Sequence, residues 1–283
     1  MQTIPQADDA ELRAFITRVL AEGARLYRDF SWRRSHEPYA VLVSEVMLQQ
    51  TQTARVERYW GAWMERFPTF DALAAASVAD VLGAWQGLGY NRRALALKRT
   101  AEIVSEELGG RLPRDAGALK ALPGIGPATA AGLRAFAWDE PAAYLETNVR
   151  AVFLHELFPE AEGVSDRELG ALVERCAELA HAAGISARAW NYALLDVGAW
   201  LKRSVENPSR RSRHHTRQSA FEGSWRQKRA RLLAAVLADP GSRAEQLAAA
   251  CELPVEVCDA VLEELAREGF LAREAGGAWQ IAG

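Results

Sequence analysis

The stretch Leu122-Pro123-Gly124-Ile125-Gly126-Pro127-Ala128-Thr129-Ala130 decides how this sequence is interpreted, because helical patterns flank it on both sides. Its two glycines permit a tight backbone turn and a close approach to a ligand, and Pro127 suits the first turn of a helix. The free amides at the start of the second helix point toward an anion, and a DNA phosphate satisfies them without a charged side chain. The stretch therefore predicts two helices joined by a hairpin that grips phosphate through Gly124 and Gly126.

Outward from this hairpin, apolar residues recur at spacings of three and four through most of the first 200 residues. Alternating Val-rich runs are rare there, so the pattern predicts an all-α body. The predicted helices cover residues 9–29, 39–57, 70–85, 91–108, 115–121, 127–137, 147–157, 166–183 and 187–203.

A separate pattern follows the stretch 204–223, where periodicity fails and Pro, Ser, Arg and His take over. Three helices closed by a short hairpin are typical of a winged helix-turn-helix module, which binds DNA in some proteins and protein partners in others. The helix in the recognition position is acidic, with Glu256, Glu263 and Glu264, which favours packing or partner binding over DNA reading. The predicted elements are helices at 226–238, 244–250 and 254–268 and strands at 270–273 and 278–281.

Charge is unevenly distributed along the 283 residues, although the net charge is only −3. Between Lys202 and Arg231, ten Lys or Arg residues stand against Glu206 and Glu222. Such a run is either a solvated linker or a contact for phosphate backbone, and the upstream hairpin favours the second interpretation.

Cysteines and histidines give no metal pattern. Cys176, Cys251 and Cys258 are too few and too scattered for a disulfide framework or a zinc site, and the adjacent His214 and His215 lack further spaced ligands. The first ten residues lack the apolar core of a signal peptide, and no apolar run approaches membrane-spanning length. We therefore expect reduced thiols, no membrane and a cytoplasmic protein.

An acid stands out in the segment YAVLVSEVMLQQTQ, residues 39–52. Glu45, Gln49 and Gln52 are predicted to share one helical face, and apolar residues border that face. Apolar surroundings disfavour the ionised carboxylate and raise its pKa toward the range in which it can donate a proton. A solvated or salt-bridged Glu on a helix is the common alternative.

These segments, taken together and in order, resemble the adenine DNA glycosylase branch of the helix-hairpin-helix (HhH-GPD, endonuclease III-like) superfamily. The resemblance spans about 170 residues, and it implies two helical lobes with a DNA cleft between them. The motifs that carry it are Phe30-Ser-Trp before Pro38-Tyr39, SEVMLQQTQ at 44–52, Phe67-Pro-Thr, WQGLGY at 85–90, LPGIG at 122–126 and LDVGA at 195–199.

The resemblance assigns roles to individual residues. It implies that Glu45 is the general acid that protonates adenine, and that Gln49 and Tyr90 wedge into the duplex, where a flipped base leaves a space. Gln50 belongs to the same DNA-contacting segment. The remaining implied contacts to DNA are those of Gly124, Gly126 and Ala128.

A second acid follows from the same resemblance. Glu146 stands where the family carries an aspartate, and it could stabilise the positive charge that develops on the sugar, while Asn148 helps to hold the water. The extra methylene shifts the carboxylate by about 1.5 Å. The alternative is that Glu146 only favours the N-terminus of a helix.

The sequence also departs from its relatives. Ala128 replaces the lysine that forms a Schiff base in strand-cutting members, so we expect a monofunctional glycosylase without lyase activity. Lys202 stands where the first of four cluster-binding cysteines would be, so we expect no iron–sulfur cluster. The basic residues Arg210, Arg211 and Arg213, with Lys202, are predicted to take over phosphate contacts.

The sequence therefore predicts a DNA glycosylase of base excision repair, with mispaired adenine as the favoured target. A glycosylase for another lesion, such as a mismatched thymine or uracil or a damaged purine, and a catalytically silent DNA-binding protein remain alternatives. Position 128 departs from the family pattern, and we expect the winged-helix-like module in place of the family's 8-oxoguanine-reading domain. We expect a monomer that binds double-stranded DNA, with a DNA or protein partner for the C-terminal module. The predicted parts are a glycosylase body at 1–220, with a six-helix barrel at about 30–140 and a second lobe at 1–29 plus 141–220, and the module at 223–283.

Overall fold

Helices dominate the structure, a computed structural model that describes residues 8–213 and 220–283. The α-helices are α1 Asp9–Arg25, α2 Pro38–Leu48, α3 Thr53–Arg66, α4 Phe70–Ala75, α5 Val78–Trp85, α6 Arg92–Glu106, α7 Ala116–Ala121, α8 Pro127–Trp138, α9 Thr147–Leu157, α10 Asp166–Ala182, α11 Ala187–Ser204, α12 Trp225–Ala238, α13 Ala244–Ala250 and α14 Val255–Arg267. Short 3₁₀ turns lie at Ser31–Arg34 and Pro208–Arg211, and the strands are β1 Ser242–Arg243, β2 Leu271–Arg273 and β3 Ala278–Ile281. No helix within these described ranges is long and apolar enough to cross a membrane.

Two compact units make up the chain, and each consists of two separate stretches. The first unit comprises Met1–Gln49 and Leu112–Arg217, and the second comprises Gln50–Arg111 and Gln218–Gly283. These units do not follow the lobes expected from the sequence, and those lobe boundaries stay a prediction.

The first unit is built around the pairing of α9 with α11, against which α1 and α10 also pack. Gly23 of α1 permits a close approach to α11, because a Cβ at this position would lie 2.6 Å from the Ala193 Cα. Phe15 packs edge-to-face against Phe153 and Trp190, with ring centroids 5.1 and 6.1 Å away. This packing holds α9, which carries candidate site residues at its start, against α1.

The helix predicted over 39–57 is interrupted. Gln50 adopts a left-handed backbone with φ +54°, so α2 ends before it and α3 begins after it. Gln52 therefore does not share a helical face with Glu45, and that placement from the sequence is wrong.

Other helix boundaries also differ from the prediction. The single helix expected over 70–85 is two helices, because the Ser77 side chain accepts a hydrogen bond from the Asp80 amide and caps α5. The helix expected over 9–29 ends at Arg25.

The C-terminal module has the predicted order of three helices followed by a hairpin. In the hairpin β2 pairs with β3 in antiparallel register, with Leu271 opposite Ile281, and β1 pairs with the other side of β3. Trp279, Phe270 and Leu262 form its buried core. Its assignment as a winged-helix module remains a prediction.

Candidate active site

The hairpin at 122–126 joins α7 to α8 in the first unit, as the sequence predicted. Gly124 has φ +75°, and Gly126 is the N-cap of α8, with Pro127 at the first helical position. Both glycines are exposed, whereas Ile125 between them is buried. Among the described residues no side chain caps this end of α8, so its first amides can bind an anion such as a phosphate.

Gln49, the residue after α2, contacts this hairpin. Its Nε2 donates hydrogen bonds to the Gly124 carbonyl at 3.3 Å and to the Thr129 hydroxyl at 3.1 Å. Ala128 is the half-buried residue just before Thr129. The structure thus brings Gln49 and Gly124 together, while a wedge role for Gln49 and a DNA contact for Ala128 stay predictions.

Glu45 lies in α2 and points toward α8, with only 9% of its surface exposed. Gly132 of α8 provides the space for its carboxyl group. A Cβ at that glycine would overlap the Glu45 Oε2 and would lie 2.8 Å from the Glu45 Cδ and 3.1 Å from the Tyr144 Cε2. Only glycine leaves room for this carboxyl group between the two helices.

Burial raises the pKa of Glu45 to about 8, as the apolar neighbours in the sequence predicted. The Tyr144 hydroxyl donates a hydrogen bond that lowers this pKa, and the nearby negative charge of Glu146 raises it. Glu45 is therefore protonated at neutral pH and can act as a proton donor.

Glu146 is the N-cap of α9, and this cap fixes its carboxylate. Its Oε1 accepts hydrogen bonds from the Asn148 amide at 2.7 Å and the Val149 amide at 3.2 Å. Burial raises the pKa of Glu146, while the Lys202 charge and the bonds from Asn148 lower it. Glu146 thus has the helix-capping role that the sequence left as an alternative, and its charge also acts on Glu45. Its catalytic role stays a prediction.

Lys202 lies at the end of α11, one turn beyond Gly198. A Cβ at Gly198 would lie 2.6 Å from the Asn148 carbonyl carbon, so this glycine lets α11 approach the start of α9. Lys202 is half-buried, and burial lowers its pKa while Glu146 raises it. Its charge therefore acts on Glu146, and the phosphate contact expected of Lys202 stays a prediction.

Tyr144 and Gly132 were missed from the sequence. Tyr144 lies in the non-helical link before α9. Burial and the nearby charges of Glu45 and Glu146 raise its pKa well above the usual range. No local pattern distinguishes this tyrosine. A glycine inside the predicted helix 127–137 was an available signal for Gly132, because glycine costs a helix about 1 kcal/mol relative to alanine.

The basic residues after α11 divide into two groups. Arg211 donates hydrogen bonds to the carbonyls of Leu154 at 2.8 Å and Phe158 at 2.6 Å, so it holds the C-terminal end of α9. Arg210 is exposed and 3.6 Å from a Glu206 carboxylate oxygen, and Arg213 is exposed. All three phosphate contacts stay predictions, and the remainder of the basic run, 214–217, lies outside the described residues.

The cysteines do not fit an iron–sulfur cluster, which is held by four thiolates. The chain has three, Cys176 in α10 and Cys251 and Cys258 in the C-terminal module, and all three are buried thiols. Burial raises the pKa of Cys176 to about 12 and that of Cys258 to about 11, so both stay protonated.

Asp196, in the motif at 195–199, has a structural role. It is 2% exposed and accepts hydrogen bonds from Arg28 at 2.6 Å and from Arg33 at 2.7 Å. This buried, doubly paired carboxylate ties the segment before α2 to α11.

The second unit holds Tyr90 in an unusual conformation. Tyr90 has φ +50° and is 39% exposed, and it follows Gly87 and Gly89, which also have positive φ. Buried Arg93 fixes this loop by donating to the carbonyls of Gly89 at 2.8 Å and Leu88 at 3.3 Å. The loop leaves the Tyr90 side chain exposed, and its role as a duplex wedge stays a prediction.

Comparison with known proteins identifies the class. The chain belongs to the HhH-GPD superfamily of base excision DNA repair proteins, whose pattern matches residues 43–197. The chain is similar to the adenine DNA glycosylase of Mycolicibacterium smegmatis, 44% identical over 144 residues that cover 50% of this chain and 49% of that protein. It is 42% identical to the adenine DNA glycosylase of Homo sapiens over 51% of this chain and 28% of the human protein. The chain therefore spans about half the length of its bacterial relative, and the family expected from the sequence is confirmed.

Solved structures support the same fold. A thermostable thymine-DNA glycosylase superposes with a TM-score of 0.60 at 25% identity, covering 69% of this chain and 88% of that one. A non-covalent endonuclease III–DNA complex superposes with a TM-score of 0.51 at 19% identity, covering 76% of this chain and 93% of that one, which supports the fold alone. The helical glycosylase fold predicted from the sequence is confirmed.

Proposed function

We propose that this protein is a monofunctional DNA glycosylase that removes a mispaired adenine from double-stranded DNA. The single observation that carries this proposal is the carboxyl pair of buried Glu45 and half-buried Glu146, with the pKa of Glu45 raised to about 8. A buried acid that stays protonated at neutral pH, beside a second carboxyl group, suits protonation of a leaving base and stabilisation of the sugar cation.

The proposed reaction begins when the target nucleotide leaves the stack, with Tyr90 and Gln49 filling the space. Glu45 donates its proton to a ring nitrogen of adenine, and the bond between that base and C1′ breaks with its electron pair staying on the base. The carboxylate of Glu146 stabilises the positive charge on the sugar. A water molecule held with the help of Asn148 then adds its oxygen to C1′, and its proton restores the acid.

Position 128 limits the outcome of this reaction. Ala128 has no amine that could form a Schiff base, so the proposed product is an intact strand with an abasic site. We also propose that the protein acts as a monomer on cytoplasmic DNA, without an iron–sulfur cluster, since its three cysteines cannot supply four thiolates.

Adenine is proposed as the target because the curated relatives at 42% and 44% identity are named adenine DNA glycosylases. A mismatched thymine or uracil is the second candidate. It is favoured by the thymine-DNA glycosylase that superposes with a TM-score of 0.60.

Single-turnover excision on a panel of duplexes tests the proposal. The panel pairs adenine with guanine, cytosine or 8-oxoguanine and includes G·T and G·U duplexes. Release of adenine, lost in E45Q without loss of DNA binding, is the expected result. Release of thymine or uracil alone would overturn the adenine assignment, and DNA binding with no base released by the unsubstituted protein would support the silent alternative.

A further inference from the structure

The tip of Tyr90 is in contact with the C-terminal module. The Arg226 Nη1 in the first turn of α12 lies 3.0 Å from the Tyr90 hydroxyl oxygen and donates a hydrogen bond to it. Both residues belong to the second unit. The module therefore contributes a cation at the tip of the side chain proposed to enter the duplex.

A cluster of charges on the same unit links the module that carries Arg226 to the segment beside the Tyr90 loop. Arg92, which follows the Tyr90 loop, lies 2.7 Å from Glu268, the residue after α14, and Arg229 of α12 lies 2.6 Å from the same residue. Hydrogen bonds from Arg92 and Arg229 lower the pKa of Glu268 to about 2, so the cluster stays ionised. These pairs hold α12 and α14 against the loop that carries Tyr90.

This cluster also includes Glu264, one of the acidic residues of α14. Glu264 accepts a hydrogen bond from the Trp225 indole at 2.7 Å and pairs with Arg229. Glu264 and Glu268 thus pack against cations and an indole of their own unit. This agrees with packing rather than DNA reading as the role of α14. The face of the module nearest Tyr90 is the start of α12, not the helix in the recognition position.

We infer that Arg226 is part of the DNA-binding surface and contacts a backbone phosphate beside the inserted Tyr90. This inference rests on the proposed function, in which Tyr90 enters the duplex. Arg226 is hydrogen-bonded to the tip of Tyr90. When Tyr90 enters the duplex, Arg226 therefore either contacts the nucleic acid with it or has to move away. A guanidinium carries five N–H donors in a planar fork that matches phosphate oxygens, so the first outcome is the favourable one.

The neighbourhood of Arg226 suits a nucleic acid. Phe221 and Trp225 are 51% and 41% exposed, and Lys228 lies over the Trp225 ring at 5.6 Å. Exposed aromatic side chains among cations are the usual elements of a surface that follows a DNA strand. The C-terminal module would then bind DNA through the start of α12.

Salt dependence of DNA binding tests this inference. Each phosphate contact contributes about 0.9 to the slope of log Kd against log salt concentration for duplex DNA. The unsubstituted protein and R226A are titrated with a matched duplex and with mismatched duplexes that differ in the opposite base, between about 50 and 200 mM salt, with fluorescence anisotropy as the readout. R231A is the matched control, since Arg231 is exposed on the same helix and 3.7 Å from a Glu252 carboxylate oxygen.

We expect R226A to weaken binding several-fold on matched and mismatched duplexes alike and to lower the slope by about 0.9, while R231A leaves the slope unchanged. The same comparison on a Y90F background separates a direct contact from positioning. If Arg226 contacts phosphate itself, R226A lowers the slope there too. If it only orients the hydroxyl, R226A has no further effect on Y90F, and the inference is overturned.

Two further outcomes are decisive. Wild-type affinity and slope in R226A would overturn the inference, and so would a loss confined to one opposite base with an unchanged slope, because that pattern indicates a base contact. The thermal midpoint of R226A, expected to match that of R231A, checks that the variant is folded. A parent protein that binds no duplex would instead refute the proposed function, so the two failures are distinguishable.

Discussion

The carboxyl pocket of the first unit, formed around Glu45 and Glu146, and the Tyr90 loop of the second unit both hold a residue in an unfavourable state. The two states differ in kind. In the pocket the cost is electrostatic, because burial raises the pKa values of Glu45 and Glu146. In the loop the cost is conformational, because Tyr90 has φ +50° in an exposed position.

The supports differ accordingly. The pocket depends on hydrogen bonds and charges from Tyr144 and Lys202, whereas the loop depends on backbone carbonyls held by Arg93. Bond breaking should therefore respond to changes of charge and pH, and DNA binding should respond to changes of backbone freedom. The following predictions test this separation.

The largest effect is expected at Glu45. E45Q removes the donated proton and should lower the single-turnover rate by about 10²- to 10⁴-fold, with DNA binding preserved. Stopped-flow or quench-flow excision measures the rate. Loss of duplex affinity equal to the loss of rate would contradict the separation of chemistry from binding.

The same variant should be more stable than the parent, and the sign follows from the raised pKa. Between pH 4.5 and about 8 the folded protein keeps a proton that the unfolded chain releases, so the free energy of unfolding falls as pH rises through this window. Glutamine does not titrate, so the advantage of E45Q grows from pH 5 and reaches on the order of 4 kcal/mol above pH 8. Urea unfolding at pH 5 and pH 8.5 measures this, and an advantage that is equal at both values would contradict the raised pKa.

A smaller effect is expected from Gly132→Ala. Its Cβ would lie 2.8 Å from the Glu45 Cδ, so the acid must shift, and a displacement of about 1 Å costs roughly 10² in rate. Gly170→Ala is the control, because this α10 glycine has nothing within 4 Å of an added Cβ and should gain about 0.5–1 kcal/mol of stability. Unchanged excision in the first variant would refute the close fit of Glu45 against α8.

Lys202→Met should change the pH profile more than the maximal rate. Without the ammonium, the pKa of Glu146 rises further, so the acidic limb of the rate profile moves to higher pH and K202R restores it. Arg203→Met is the matched control on the exposed side of α11. A uniform loss at every pH would indicate a structural or phosphate-binding role instead.

The smallest effect on bond breaking is expected from Gly87→Ala. Its Cβ would overlap the Tyr59 hydroxyl and would lie 3.0 Å from the Tyr59 Cζ, at a φ of +90° that alanine avoids. We expect weaker DNA binding but an unchanged rate at saturating protein. Gly109→Ala has a positive φ without a neighbour within 4 Å and controls for backbone strain alone.

Local patterns predicted much of this molecule. The hairpin followed from two glycines and a proline, and the raised pKa of Glu45 followed from its apolar neighbours. The left-handed conformations of Gln50 and Tyr90 were not predicted, because neither residue is glycine and non-glycine residues rarely adopt this conformation.

The same limit applies to partners within the sites. Tyr144 lies in a segment without periodicity, and Arg211 acts on carbonyls 53 and 57 positions away in sequence. In a sequence, a basic residue that binds phosphate cannot be distinguished from one that binds the carbonyls at the end of a helix. Which role each has depends on tertiary contacts.

Each unit consists of two separate stretches of the chain. Neither unit can therefore complete its fold until its second stretch has left the ribosome. Glu45 meets Glu146 only after residues 50–111, which belong to the other unit, have been synthesised and looped out. Contacts of such long sequence separation slow folding and expose apolar surface on the way. Nascent chains stalled at any point before α11 should therefore be sensitive to proteases. The sensitivity should fall in a single late step, among chains stalled after α11.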